Sequence, residues 1–152
     1  MALFVSTFFN KIDIKGRVSV PASFRTTVTM QMSQGIFIYP SFTANAIDGC
    51  CGDFLEQLVT STTLDFFSSE QDDINTLIFS SAHHLTWDSE GRVVLPKEIR
   101  EHANITEQVA FVGKGRTFQI WEPIALKIHT EKARNRALQN RPKITLHATE
   151  NK

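Results

Sequence analysis

Apolar and polar positions alternate with a period of two in several short stretches of the chain, and repeat with a helical period in others. Leu3-Phe-Val-Ser-Thr-Phe-Phe9 and His84-Leu-Thr-Trp87 read as strands. Gly35-Ile-Phe-Ile-Tyr39 is a third, stopped by Pro40. Gln108–Val112 and Thr117–Trp121 flank Gly113-Lys-Gly115, the pattern of a hairpin. Two runs of branched residues, Arg17-Val-Ser-Val20 and Arg92-Val-Val-Leu95, end at Pro21 and Pro96. Each proline can open a helix, because its missing N–H is not needed in the first turn. Helices are therefore predicted over 22–30 and 97–103, with Asn104 as a C-cap. Phe54, Leu55, Leu58 and Val59 share a helical spacing that predicts a helix over 53–64, with a second over 70–81. Ile124, Leu126, Ile128, Ala133, Ala137 and Leu138 follow the period less cleanly, and the tail from Arg141 is expected to fray. The sum is an α+β chain.

The most informative pattern is a repeat. Asp13-Ile-Lys-Gly-Arg17-Val-Ser-Val-Pro21-Ala-Ser-Phe24-Arg25 returns as Asp88-Ser-Glu-Gly-Arg92-Val-Val-Leu-Pro96-Lys-Glu-Ile99-Arg100, each position 75 residues on. Both copies read D-x-x-G-R-V-x-φ-P-x-x-φ-R, with φ apolar. Asp can accept from the backbone two residues on, and Gly tolerates positive φ, so each copy opens on a tight turn and leaves it as a strand. A fixed offset of this kind dictates architecture. The expected organisation is a first unit over 3–50, an acidic helical insert over 51–82, a second unit over 83–126, and a basic C-terminal helix and tail over 127–152.

Charge sharpens this division. The net charge is zero, yet no Lys or Arg occurs between Thr26 and Gly91, where Asp48, Asp53, Glu56, Asp65, Glu70, Asp72, Asp73, Asp88 and Glu90 all lie. The bases are confined to the two ends. A neutral chain can still bind a polyanion if folding gathers its bases on one face. With 152 residues, 41% of them hydrophobic, the chain has material for one ordinary domain or two very small ones. No run of about 18 apolar residues predicts a membrane span. The alternating start has no preceding base and does not read as a signal peptide, so the expected location is the cytoplasm.

Candidate chemistry is sparse. Cys50 and Cys51 are adjacent, which predicts two reduced thiols in a loop or at a helix start. His83 and His84 would face opposite ways in a strand, and His102, His129 and His147 are scattered, so no metal site is expected. Ser68, Ser69, Ser80, Ser81 and Ser89 lack a nucleophile-elbow setting, and Gly113-Lys-Gly115 is too short to cradle a phosphate. A hydrolase using Asp13 or Asp88 would need a second carboxylate at fixed spacing. No enzyme, cofactor or small-molecule substrate is expected. Arg17 and Arg92 leave tight turns, and a guanidinium can donate two parallel bonds to a guanine edge. Lys11 and Lys15 suit phosphate contacts, and Asp13 and Asp88 would orient their own arginines. Arg25 and Arg100 are candidates for phosphate contacts or for intramolecular pairs. A second reading of each Asp–Arg pair, an ion pair that merely steadies a hairpin, is open. The basic segment carrying Lys127, Lys132, Arg134, Arg136, Arg141 and Lys143 admits two readings as well. It is a second surface for DNA or an acidic partner, or a solvated helix that offsets the acidic insert of a neighbouring subunit.

The paired motif, the start F-x-x-x-x-x-N-K-I-D-I-K-G-R-V-S-V-P and the later V-G-K-G-R-T-F-Q-I-W-E-P together resemble the MraZ family, within the wider SpoVT/AbrB-like superfamily. The resemblance covers about residues 3–140. It implies two tandem swapped-hairpin units forming a small β-barrel with flanking helices, assembled into ring-like homo-oligomers. It implies a sequence-specific, DNA-binding transcription regulator on the nucleoid that reads short direct repeats upstream of a division and cell-wall gene cluster. The family's D-x-x-x-R motif falls on Asp13 to Arg17 and on Asp88 to Arg92. Glu90 stands where the first copy has Lys15, so the first loop is expected to be the better DNA reader. An antitoxin-like module that neutralises a protein partner is the alternative within the same superfamily.

Overall fold

The computed structural model describes residues 2–61, 67–141 and 143–146. The repeat organises it directly. Strand β2 (Arg17–Ser19) of the first copy pairs antiparallel with β6 (Arg92–Val94) of the second. The register sets Arg17 opposite Val94, Val18 opposite Val93 and Ser19 opposite Arg92. Two further bonds extend the ribbon symmetrically: Val20 N–H to Gly91 O at 2.9 Å and Leu95 N–H to Gly16 O at 2.8 Å. Positions 75 residues apart thus occupy equivalent places about a local two-fold. Helices α1 (Ala22–Met30) and α4 (Lys97–His102) follow their prolines as expected. Asn104 takes the left-handed conformation, φ 54°, just past α4.

The remaining strands, β1 (Thr7–Lys11), β3 (Ile36–Pro40), β4 (Ile47–Cys50), β5 (His83–Leu85), β7 (Gln108–Gly113) and β8 (Phe118–Trp121), form one sheet in the order β1-β7-β8-β4-β3-β5. Every pairing is antiparallel. Strand β4 escapes the sequence pattern. Its Ile-Asp-Gly-Cys composition is poor for a strand, but the slot between β3 and β8 supplies partners on both sides. Gly49 is required there, since a Cβ would stand 2.3 Å from the Phe118 ring.

One correction concerns the expected small barrel, which does not close. The sheet ends at β1 and β5, and the β2–β6 ribbon does not join it as a strand: a single bridge, Ile12 to Val18, is its ladder link on the β1 side. The turn after Ile12 is too tight to prolong a β1–β2 ladder: Asp13 N–H donates to Arg17 O at 3.1 Å and Gly16 N–H to Asp13 O at 3.0 Å. The ladder groups of β2 go instead to the other copy of the repeat.

Alternation along the strands divides the sheet into two faces. One face, with Ile36, Ile38, Ile47, Val109, Phe111, Phe118 and Ile120, shares a single core with Val18, Val20 and Phe24 of the first repeat and Val93, Leu95 and Ile99 of the second. All six repeat positions are buried, and they are the apolar φ and V positions of the motif. Phe24 lies edge-on to Phe4, Phe8 and Phe111 with centroids 5.2, 5.6 and 6.1 Å away. The opposite face carries two separate clusters. Helix α5 (Pro123–Asn140) lays Leu126 against Ala46, Ala110 and Trp121. Its first turn is capped by Glu122, whose carboxylate accepts from Ile124 N–H and Ala125 N–H. The insert covers Tyr39 and Cys50 with α2 (Gly52–Ser61) and α3 (Ser69–Ile74), the latter continuing as a π-helical stretch, Asn75–Ser80. Two insert helices are thus present over 52–61 and 69–80; residues 62–64 of the first expected helix lie outside the described residues. Cys50 closes β4 and Cys51 precedes α2, both buried and unpaired. Burial pushes the Cys50 thiol up to about 12.

Candidate nucleic-acid interface

Each repeat opens on the same built turn. Asp13 Oδ1 accepts from Lys15 N–H and Arg17 N–H, both at 2.9 Å, while Oδ2 accepts from Arg17 Nε at 2.7 Å. Asp88 does the same for Glu90 N–H at 2.8 Å, Arg92 N–H at 3.0 Å and Arg92 Nε at 3.0 Å. Gly16 and Gly91 occupy positive φ, 87° and 78°, which lets the chain reverse into the strand. These bonds hold both carboxyls below their ordinary value of 3.8, chiefly through the backbone N–H of Arg17 for Asp13 and of Arg92 for Asp88. Each aspartate takes its arginine at Nε, so it does not use up the terminal amino groups of the guanidinium.

The two arginines share a face. Cross-strand partners and residues two apart lie on one side of a ribbon, so Arg17, Ser19, Arg92 and Val94 point outward while Val18 and Val93 point into the core. Arg17 and Arg92 are diagonal neighbours, with backbones roughly 7–8 Å apart by sheet geometry. The two copies differ in one respect. Arg92 Nη2 is also held by Glu90 Oε2 at 3.3 Å, whereas no second acceptor meets Arg17 among the described residues. Lys15 is exposed beside it, and Ile14 is 94% exposed at the turn tip. Lys11 ends β1 in an exposed position.

Arg25 and Arg100 are drawn inward. Arg25 Nε donates to Val20 O at 3.2 Å and Arg100 Nε to Leu95 O at 3.0 Å. Each side chain also crosses to the other repeat: a Cβ added to Gly91 would stand 2.7 Å from Arg25 Cζ, and one added to Gly16 would stand 3.1 Å from Arg100 Nε. The helix arginine of one copy therefore roofs the turn glycine of the other. Three further residues of this region have no signature in the motif itself. Asn10 Nδ2 donates to Ser19 O at 2.7 Å, tying β1 to the ribbon. Ser19 and Val94, the latter 53% exposed, complete the outward face between the arginines. Counting two positions from Arg17 and Arg92 along each strand would have found both.

Among the described residues no three His, Cys, Asp or Glu side chains come together as a metal-ligand set, and no helix is long and apolar enough to cross a membrane. His147 lies outside the described residues.

Comparison with known proteins agrees with the motif. The profile of a family described as "MraZ protein, putative antitoxin-like" matches residues 78–143. A protein of Pelagibacter ubique (strain HTCC1062), named transcriptional regulator MraZ, is 44% identical over 140 residues, 91% of this chain and 90% of its own length. Proteins of the same name from Rickettsia akari (strain Hartford) and Rickettsia bellii (strain OSU 85-389) are 40% and 42% identical over 142 and 151 residues. The alignments span 93% and 98% of this chain and 95% and 99% of the relatives. Matches of this identity across both repeats, and not the second alone, carry the assignment: the chain belongs to the MraZ family.

Proposed function

We propose that this chain is a transcription regulator that reads short direct repeats in double-stranded DNA upstream of a division and cell-wall gene cluster, as the family resemblance implies, working on the nucleoid. Its two repeats act as interleaved swapped-hairpin units, with the insert over 51–82 and the basic segment from 127 as appendages. Several copies join in a ring, so that weak contacts to successive repeats add by avidity.

One observation carries the reading. Arg17 and Arg92 stand side by side on an outward face, each gripped at Nε by an aspartate of its own turn; the terminal amino groups of Arg17 are left to bind, while Glu90 takes one of those of Arg92. A guanidinium fixed along one edge has lost most of its rotational freedom before binding, and the remaining edge matches the O6 and N7 of guanine. Asp13 and Asp88 thus position the readers rather than touch the anion. Arg17 is the principal base reader and Arg92 the weaker one. Lys11 and Lys15 contact phosphates. Arg25 and Arg100 act from within as braces.

The decisive experiment is a gel shift against the region upstream of the chain's own gene. Wild type should give a discrete complex that competitor DNA of random sequence does not remove. Arg17→Ala should lose that complex at unchanged circular dichroism. A wild-type complex in Arg17→Ala would remove the site. An antitoxin-like role would show instead as capture of a neighbouring gene's product with no specific shift.

A further inference from the structure

Val94 has no place in the core. It is 53% exposed and belongs to none of the three apolar clusters. The β2–β6 register sets it directly opposite Arg17, with Cβ atoms roughly 4.5–5.5 Å apart. Arg92 stands two residues before it on the same strand and the same side, about 7 Å away. A branched apolar side chain therefore sits between the two arginines, one across the ribbon and one along it. Such a side chain adds nothing to phosphate affinity, which a polar residue would serve better. The equivalent place in the first copy holds a polar residue, Ser19, exposed opposite Arg92.

A two-stranded ribbon fits the major groove of B-DNA, and thymine is the base that presents an apolar group there, its C5 methyl. We infer that Val94 reads the methyl of a thymine beside the guanine held by Arg17. The inference rests on the proposed reading of DNA by the two turns and adds one base to it. That thymine lies within about two base pairs of the guanine, because the two side chains start roughly 5 Å apart and each base pair rises about 3.4 Å.

Val94 also gives the site a direction. The two copies are related by the local two-fold of the ribbon, and identical outward faces would read both strands alike, as a palindrome. Val94 against Ser19, with Glu90 against Lys15 and Ser89 against Ile14, makes the faces unlike. One orientation of the ribbon on the duplex then binds best, which suits sites arranged as direct repeats.

The test uses duplexes of the region upstream of the chain's own gene in which each thymine in turn is replaced by deoxyuridine, which removes the methyl alone. Affinity is read by gel shift for wild type, Val94→Ala and Ile14→Ala, with folding checked by circular dichroism. Ile14 is included because it is 94% exposed at the turn tip and is the other apolar side chain near the arginines. Wild type should lose about fourfold in affinity at one thymine beside the guanines, the worth of one buried methyl group. Val94→Ala should bind the unsubstituted duplex several-fold more weakly and be indifferent to deoxyuridine at that thymine, while Ile14→Ala stays as sensitive as wild type. Wild type indifferent at every thymine, Val94→Ala still sensitive, or Ile14→Ala insensitive would each overturn the inference. So would a Val94→Ala chain with a lower urea midpoint and unchanged DNA affinity, since Val94 would then serve the strand alone. If Val94→Ala fails to fold, Val94→Ser, which repeats the residue of the first copy, takes its place with the same expectations. A parallel series with 7-deazaguanine, which lacks N7, separates the two readings. Loss of affinity there without loss at any deoxyuridine leaves Arg17 as a reader and removes Val94. No loss in either series removes both.

Discussion

The two turns differ by a single carboxylate, and that difference is testable side chain by side chain. Glu90 already occupies one amino group of Arg92, so Arg92→Ala should weaken specific DNA binding less than Arg17→Ala. Glu90→Gln releases that amino group and removes a negative charge, and should tighten binding several-fold in the same gel shift. An unchanged Glu90→Gln would mean that Arg92 does not face DNA. The aspartates also set a pH response. Their folded-state acidity is raised relative to the unfolded chain, so their contribution to stability is present above pH 3.8 and is lost as pH falls through the depressed values. Asp13→Asn and Asp88→Asn should flatten the loss of stability on acidification below pH 4, as followed by urea midpoints at successive pH. Asp13 and Arg17 were legible as a motif before folding. That Asp13 holds Nε in particular was not, because spacing along a chain does not say which edge of a guanidinium a turn will present.

At the level of elements, the ribbon depends on two glycines that approach the other repeat. A Cβ on Gly16 would stand 2.6 Å from Leu95 O, and φ there is positive. Gly115 has the same φ, 87°, and nothing within 4 Å. Gly115→Ala should therefore cost only the conformational strain, about 1–2 kcal/mol. Gly16→Ala should cost more, because the Leu95–Gly16 hydrogen bond must also shift. The difference in urea midpoints measures the close approach of the two copies, and equal midpoints would deny it. Phe24→Ala, at the meeting of α1, β1 and β7, should cost about 3–5 kcal/mol. Sequence pattern found β2, β6, α1 and α4, where local propensity and burial agree. It missed β4, where Asp48 and Gly49 oppose a strand and only the two neighbouring strands stabilise one.

For the whole molecule the test is salt. If Lys11, Lys15 and Arg17, with a lesser share from Arg92, neutralise phosphates or base edges, log K should fall against log salt with a slope of about −3 for each copy engaged. Adding direct repeats to the operator should steepen it in proportion. Lys15→Gln should reduce the slope by about one per engaged copy without changing the preferred sequence. A slope that stays constant as repeats are added would mean that one copy touches DNA at a time. What the sequence determined alone was whatever depends on neighbours along the chain: the turn chemistry of D-x-x-G-R, the strand and helix after it, and the segregation of acids from bases. Tertiary structure decided what depends on partners far apart in the chain. The strand partner of β2 is β6 and not β1, which joins the two repeats and leaves the sheet open. The same pairing brings Arg17 and Arg92 onto one face and lets Arg25 and Arg100 each reach the turn glycine of the other repeat, while α5 and the insert pack on the sheet. A one-residue slip in that register would bury the arginines and expose the valines, and it is the shared core on Val18 and Val93 that forbids it.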